Sequence, residues 1–152
     1  MSWLYNNNIV ESGDIPDNSV GFVYLIVHKP TGRYYIGKKL LSSTRRTKIG
    51  KRELESIKIE RKTRGVTGRM PIKKVIKKES DWATYFSSND EIKLMVKEGK
   101  SEEFNREILK WCVSKKSLSY WEVWYQFKND VLSDANSFNN NIMGSYYRKD
   151  VI

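Results

Sequence analysis

The chain has 152 residues, about the length of one ordinary domain, and apolar residues make up 39% of it. Its formal net charge of +10 favours a polyanionic partner, nucleic acid before membrane. The sequence has no apolar run near the roughly 18 residues of a membrane-spanning helix, no signal-peptide core, and only one cysteine, Cys112. A lone cysteine excludes an internal disulfide, so we expect a soluble protein of a reducing compartment, the cytoplasm.

The chain opens with a polar, turn-rich leader over residues 1–19, and residues 20–152 are expected to form a single domain. Aromatic and β-branched residues at 21–27 predict a strand, and the Pro and Gly of residues 29–32 predict a turn. A second strand follows over residues 33–36 and is expected to end at Gly37. The result is a β-hairpin that carries Tyr24 and Tyr35 on adjacent strands.

A basic insert follows, from Lys38 to Lys78. It holds 16 Lys or Arg and 3 Glu, a net charge of +13, while the rest of the chain has 12 basic and 15 acidic residues. Such a concentration repels itself unless a polyanion relieves it, so we expect a nucleic acid to bind mainly here. Residues 51–62 are typical of a charged helix, glycines and a proline break it at 65–71, and residues 73–78 remain unassigned.

The second half of the chain alternates helix and strand signals. The predicted elements are a short aromatic segment at 81–87, a helix at 90–97 capped by Ser88 or Asn89, a strand at 104–113, a helix at 118–127 capped by Ser117 or Ser119, and an Asn-rich end. Three strands and three helices in this order predict an α+β fold, a small three-stranded antiparallel sheet flanked by helices.

The hairpin carries the motif that suggests a family. Tyr35-Ile36-Gly37 reads Y-I-G, and eleven residues earlier Tyr24 follows Val23, with Gly21 three positions before Tyr24. With one acidic residue on a later helix and an Asn near the end, this pattern over about residues 20–142 resembles the GIY-YIG nucleases. The resemblance implies a GIY-YIG-like α+β fold and a divalent-metal-dependent endonuclease that acts on DNA.

A softer similarity points to one branch of that family. Residues 73–90, a Lys-rich stretch that runs into Glu79-Ser80-Asp81-Trp82 and then Tyr85 and Ser87-Ser88, look like GIY-YIG-like proteins of large tailed phages. If the chain is phage-encoded, its compartment is the host cytoplasm.

The resemblance assigns roles to the two tyrosines. It implies that Tyr24 is the base, or the residue that orients the nucleophile, and that Tyr35 positions the phosphate or shares the proton relay. An aqueous tyrosine titrates near pH 10. A base role for Tyr24 therefore requires neighbouring positive charge, for which Lys38 and Lys39 are the candidates.

Glu122 is the only acidic residue between Lys115 and Phe127, in a helix that is otherwise largely apolar. A carboxylate there needs a partner, and the resemblance implies a metal ion, Mg²⁺ or Mn²⁺. A single carboxylate with waters and a substrate phosphate suits Mg²⁺. The structural alternative is a capping box, because Ser119 and Glu122 have the spacing of one.

The remaining site residues follow from the resemblance alone. The family's arginine lies on the first helix, about ten residues after the Y-I-G tyrosine, where Arg45 and Arg46 fall. The family's histidine is missing from that region, since the sole histidine is His28 in the hairpin, and Lys38 is the candidate substitute. The late asparagine corresponds best to Asn139, which follows an aromatic residue, with Asn141 as the other candidate.

Three other functions stay open at this stage. The first is a catalytically inactive GIY-YIG-like module that binds DNA or a protein, because the first motif is degraded and the histidine is absent. The second is a plain basic nucleic-acid-binding module. The third is a D…E-x-K nuclease built from Asp81 or Asp90 with Glu91 and Lys93, which needs a strand where the pattern indicates a helix.

Overall fold

The computed structural model describes residues 2–152 and divides them into two compact units. A main unit contains residues 2–41 and 80–152. An inserted unit, Ser42–Glu79, interrupts it in sequence. The class is α+β, as the sequence predicts.

The main unit is built on a sheet of five strands rather than the predicted three. In chain order they are β1 (Trp3–Tyr5), β2 (Asn8–Ile9), β3 (Gly21–His28), β4 (Tyr34–Leu40) and β7 (Phe104–Cys112), arranged in space as β2-β1-β7-β3-β4. The sheet is also mixed, because β1 runs parallel to β7 while the other neighbours are antiparallel. The two extra strands come from the polar N-terminal segment, where Trp3 is buried and its indole donates to the Trp82 carbonyl at 2.6 Å.

The hairpin of β3 and β4 forms the centre and one edge of the sheet. Six of the eight residues of β3 are buried, which is why the segment reads as a continuous apolar run. β4 does not end at Gly37 as predicted. It continues to Leu40, since Gly37 pairs with Tyr24 and the lysines beyond it pair with Phe22 and Val23.

Two helices cover opposite faces of this sheet. Helix α2 (Asp90–Lys97) places Ile92 in the same buried cluster as Trp3, Phe22 and Tyr24. Helix α3 (Lys115–Lys128) places Leu118 in a second cluster on the other face. The chain ends with a short strand pair, β8 (Asn141–Ile142) and β9 (Tyr146–Tyr147), and a helical turn, α4 (Arg148–Val151).

The helix starts differ from the sequence prediction at one position. For α2 the cap is Asn89, one of the two predicted residues, whose side chain accepts from the Ile92 N–H at 3.2 Å. For α3 the cap is Ser114, whose hydroxyl accepts from the Ser117 N–H at 3.0 Å. The predicted caps of α3 were therefore wrong, because the helix starts at Lys115, three residues before the predicted start at Leu118.

The inserted unit is a two-stranded ribbon with one helix. Strand β5 (Ser42–Lys48) pairs antiparallel with β6 (Lys73–Glu79), the segment left unassigned from sequence, and α1 (Lys51–Thr63) lies between them in the chain, as predicted. None of the α1 residues is buried, whereas Ile49 of this unit is. Across residues 2–152, we find no helix with both the length and the apolar character required to span a bilayer.

Candidate active site

The candidate site lies at the free edge of the main sheet, along β4. A loop continues the sheet there, since the Tyr34 N–H donates to the Asn136 carbonyl and the Phe138 N–H donates to the Tyr34 carbonyl. One step further the Asn139 side chain replaces a strand partner. Its Oδ1 accepts from the Ile36 N–H at 3.0 Å, and its Nδ2 donates to the Ile36 carbonyl at 2.9 Å. The Y-I-G strand is thereby fixed at its middle residue.

Tyr24 and Tyr35 lie side by side on one face of the hairpin. Tyr24 pairs with Gly37 and Tyr35 pairs with Ile26, so the two rings are diagonal neighbours with centroids 6.1 Å apart. The Tyr24 ring lies over the backbone of Gly37, where any β-carbon would meet it. Local packing therefore explains why the third residue of the Y-I-G motif is a glycine.

The Tyr24 side chain is buried and its hydroxyl keeps its proton. Tyr24 is 1% exposed, and burial raises its pKa well above the usual value, with Tyr35 and Tyr85 adding to the increase. Neither Lys38 nor Lys39 is among the groups that shift it, so the expectation that these lysines activate Tyr24 was wrong. They are engaged elsewhere, and the Tyr24 phenol stays protonated.

The lysines instead pair with carboxylates. Lys39 Nζ lies 2.6 Å from Asp81 Oδ1 and 4.0 Å from the centroid of the Tyr85 ring. Lys38 Nζ donates to the Ser119 hydroxyl at 2.8 Å and lies 3.7 Å from Glu122 Oε1. The cation that accompanies the candidate metal carboxylate is therefore Lys38.

Two serines connect the tyrosines to the loop before α2. The Tyr35 hydroxyl lies 3.1 Å from the Ser88 hydroxyl, and a hydrogen bond with Ser87 partly offsets the raised pKa of Tyr24. Ser87 is buried with a φ of +134°, a backbone region that costs a non-glycine residue about 1–3 kcal/mol. Strain of this kind persists where the surrounding structure demands it.

Glu122 lies on the side of α3 that faces this edge. Its side chain is 19% exposed, and burial raises the pKa of its carboxyl, while Lys38 partly opposes that increase. The capping-box alternative for Glu122 was wrong, because Ser114 caps the helix and Ser119 lies inside it, bonded to Lys38. The carboxylate is thus directed at the site.

Tyr35 and Glu122 line one polar cleft of about 350 Å³. Ser88, Asn89, Gln126 and Asn139 also line it. Gln126, one helical turn after Glu122, is 4% exposed and donates from Nε2 to the Ile36 carbonyl at 3.0 Å. Its buried Oε1 has no hydrogen-bond partner among residues 2–152.

The donor set fits a metal bound by few protein ligands. Residues 2–152 contain no group of three or more His, Cys, Asp or Glu side chains that could hold a metal ion. One half-enclosed carboxylate suits a Mg²⁺-type cation that keeps waters and takes substrate oxygens. Glu122 is the residue that would hold it.

The predicted arginines belong to the inserted unit. Arg45 and Arg46 lie exposed on strand β5 rather than on the first helix, where the family's arginine lies. In the main unit, Arg33 pairs with Glu91, and Arg106 is buried against aromatic rings. Arg148 donates to four backbone carbonyls.

Sequence reasoning missed several residues of the site. Gln126 carries a signal that was available, since it lies four residues after Glu122 and therefore on the same helix face. Ser87 and Ser88 belong to the segment with the softer family similarity. The Asp81–Lys39 pair had no sequence signal, because its partners are far apart in the chain.

One comparison with known proteins is positive. The profile of the family described as "Putative endonuclease segE, GIY-YIG domain" matches residues 3–151. No curated protein and no solved structure gives a significant match.

Proposed function

This chain belongs to the segE-type GIY-YIG endonuclease domain family, and we propose that it is a divalent-metal-dependent enzyme that hydrolyses DNA phosphodiester bonds. The observation that carries the proposal is the shared cleft of Tyr35 and Glu122 at the β4 edge. A hydroxyl and a half-enclosed carboxylate there supply a hydrogen-bonding group and a cation ligand, which a phosphate group requires.

Glu122 would hold the cation, with waters and phosphate oxygens as the other ligands. When bound, such an ion supplies Lewis-acid stabilisation of the charge that develops on phosphate oxygens. Mg²⁺ is the first candidate and Mn²⁺ the second, because both accept oxygen ligands.

Tyr35 is the tyrosine that meets the substrate in this proposal. Its hydroxyl lies at the cleft with Ser88 and can donate to a phosphate oxygen or orient a water. Tyr24 stays behind it, neutral and buried, and sets the position of the Tyr35 ring. Burial raises the pKa of Tyr35, so its hydroxyl keeps the proton at neutral pH and can donate it in a hydrogen bond.

Lys38 supplies the mobile counter-charge. Its side chain is 42% exposed and its contact with Glu122, at 3.7 Å, is loose. When a cation neutralises Glu122, Lys38 is free to turn to a phosphate oxygen. It thus takes the place of the missing family histidine as a charge-stabilising group.

Asn139 acts as a positioning residue rather than a group that touches substrate. Both polar atoms of its amide are used on Ile36. Its function is to keep the Y-I-G strand in place beside α3.

The inserted unit is proposed as the main DNA-binding surface. On one face of its ribbon, Thr44 pairs with Lys77, Arg46 with Val75, and Lys48 with Lys73. All six are exposed, and four carry positive charge. A two-stranded ribbon fits the major groove of DNA, with cations that meet the phosphates on either side.

Arg45 lies on the opposite face of that ribbon from Arg46, because neighbouring residues of a strand alternate. We propose that both contact phosphates, and that neither needs to reach the reacting bond.

The single cysteine, Cys112, is buried and free, which suits the reducing cytoplasm, or the host cytoplasm if the gene is a phage's.

A second candidate function is an inactive GIY-YIG-like module that only binds DNA. Tyr24 favours it, because this first-motif tyrosine is sealed from solvent. Incubation of supercoiled plasmid with and without Mg²⁺ separates the two. Nicked or linear product only with the metal supports the enzyme, and binding with no product under Mg²⁺ or Mn²⁺ supports the module.

A further inference from the structure

An aromatic groove adjoins the catalytic cleft on the outer side of α3. We call it the α3 groove and define it by Tyr120, Trp124, Phe127 and Met143, which are 62%, 38%, 54% and 68% exposed. Its volume is about 940 Å³, larger than that of the polar cleft. So much exposed aromatic surface beside a site marks a ligand surface more often than chance exposure.

The exposure is built into the helix. Positions 120, 124 and 127 follow the i, i+4, i+7 spacing of one helix face, while Leu118 and Gln126 on the other side are buried. The Tyr120 and Trp124 rings are held edge-on by Trp121, with centroids 5.2 and 5.3 Å from it. Trp121 therefore supports both rings from the side of the helix.

Charge identifies the kind of occupant. Lys38 and Lys128 line the groove, and Lys128 Nζ lies 4.7 Å from the centroid of the Trp124 ring. The acidic residue that lines it is Glu122, the proposed cation ligand. A ligand that meets these groups has a flat apolar part for the rings and an anionic part for the lysines, and nucleotides have both.

The groove is also continuous with the site. Lys38, Ser119 and Glu122 line the groove, and Glu122 and Met143 line both the groove and the polar cleft. A nucleotide next to a phosphate at Glu122 can therefore reach the α3 groove.

We propose that the α3 groove binds an unpaired base of the strand being cut, stacked on Tyr120 and Trp124 next to the phosphate at Glu122. This rests on the proposed function and adds a substrate class, DNA with unstacked nucleotides at the cleavage site. Aromatic stacking tolerates any base, because every base has a π face. Bases inside an intact duplex cannot reach such a surface.

The test compares single-stranded and duplex DNA by fluorescence anisotropy, with full-length protein in EDTA so that nothing is cut. A labelled oligo-dT and a labelled duplex of equal length are the probes. We expect Trp124→Ala and Tyr120→Ala each to weaken binding of oligo-dT roughly tenfold. Duplex affinity should stay within about twofold, since the inserted unit carries it.

Matched variants keep the result specific. Trp124→Phe keeps a stacking ring and should retain most of the oligo-dT affinity. Leu94→Ala removes an exposed apolar residue, 57% exposed, from α2 and should change neither affinity. Melting temperatures establish that each variant is folded. If Trp124→Ala does not fold, Tyr120→Ala tests the proposal in its place.

Three results would overturn the proposal. They are unchanged oligo-dT binding in both alanine variants, equal losses for single strand and duplex, and a dimer in sedimentation that Trp124→Ala dissociates. The last would make the groove an interface between two copies. Because the assay needs no cleavage, its outcome is independent of whether the plasmid test succeeds.

Discussion

The Tyr24 hydroxyl oxygen lies 2.6 Å from the point where a β-carbon on Gly37 would stand. The same point is 2.8 Å from a ring carbon of Tyr35. Both distances are shorter than van der Waals contact, so a side chain at Gly37 has to move the two rings. The Y-I-G glycine and the paired tyrosines are one packing unit.

Gly37→Ala tests this unit. Overpacking of this kind costs about 1–3 kcal/mol of stability, or roughly 2–4 °C of melting temperature per kcal/mol for a chain of this size. We also expect cleavage to fall, because Tyr35 is displaced from the cleft. Thermal unfolding and plasmid cleavage, measured on the same preparation, give the two values.

The control is Gly13→Ala, where an added β-carbon meets nothing within 4 Å. It should leave both stability and cleavage unchanged. A Gly37→Ala protein that matches the wild type in both measurements would contradict the packing account.

Asn139→Ala tests the clamp on the Y-I-G strand. The substitution leaves the buried Ile36 N–H without its acceptor and the Ile36 carbonyl with Gln126 alone. A loss on the order of 1–3 kcal/mol follows from the unsatisfied group. Asn140→Ala, at an exposed neighbour, should cost little. Equal urea midpoints for the two variants would show that the clamp is not needed for stability.

Glu122→Gln should make the metal-free protein more stable at neutral pH. Burial raises the pKa of the Glu122 carboxyl, so its neutral form is favoured in the folded state. The stability that this raised pKa contributes is fully present at a pH below the pKa of Glu122 in the unfolded chain. It is lost as the pH rises through the pKa of Glu122 in the folded protein. Glutamine keeps the neutral shape at every pH, so its advantage exists at pH 7 and disappears near pH 4.

Melting temperatures in EDTA at both pH values measure this difference. Glu91→Gln, which removes an exposed carboxylate, is the control and should show little change at either pH. A Glu122→Gln protein that is less stable than the wild type at pH 7 would indicate that the Lys38 pair outweighs burial.

The inserted unit should give DNA binding a steep salt dependence. Each phosphate-contacting cation contributes about one unit to the slope of log Kd against log salt. Replacing both Arg46 and Lys77 with alanine should therefore flatten the slope by up to about 2, for any DNA sequence. Lys97→Ala on α2 is the matched control and should leave it unchanged. Binding that does not depend on salt in the wild type would contradict the role of the unit.

The elements that could be predicted from sequence are those with local signals. The helix Asp90–Lys97 has its own cap and apolar spacing, and the hairpin has its own turn, so both were identified correctly. Strand β1 was missed because its three residues are stabilised by partners about a hundred residues away on β7. Non-local pairing leaves no periodic pattern in so short a segment.

The site divides in the same way. The resemblance located Tyr35, Glu122 and Asn139, which the structure brings to one cleft. It assigned the arginines to a helix, whereas they lie on strand β5, because a fixed distance from the motif is no guide when an inserted unit follows at once. From the sequence we expected the charge of Lys38 to act on Tyr24. The fold places it beside Ser119 and Glu122 instead.

The central claim is that Glu122 holds the cation for cleavage, and Glu122→Ala tests it most directly. Loss of the ion's stabilisation of the transition state is worth several kcal/mol, or roughly a thousandfold in rate. Mg²⁺-dependent cleavage, DNA affinity in EDTA and melting temperature are measured on the same variant. The account predicts a folded protein that binds DNA like the wild type and does not cut it. A folded variant that cuts at the wild-type rate would show that Glu122 is structural and that the assigned site is wrong.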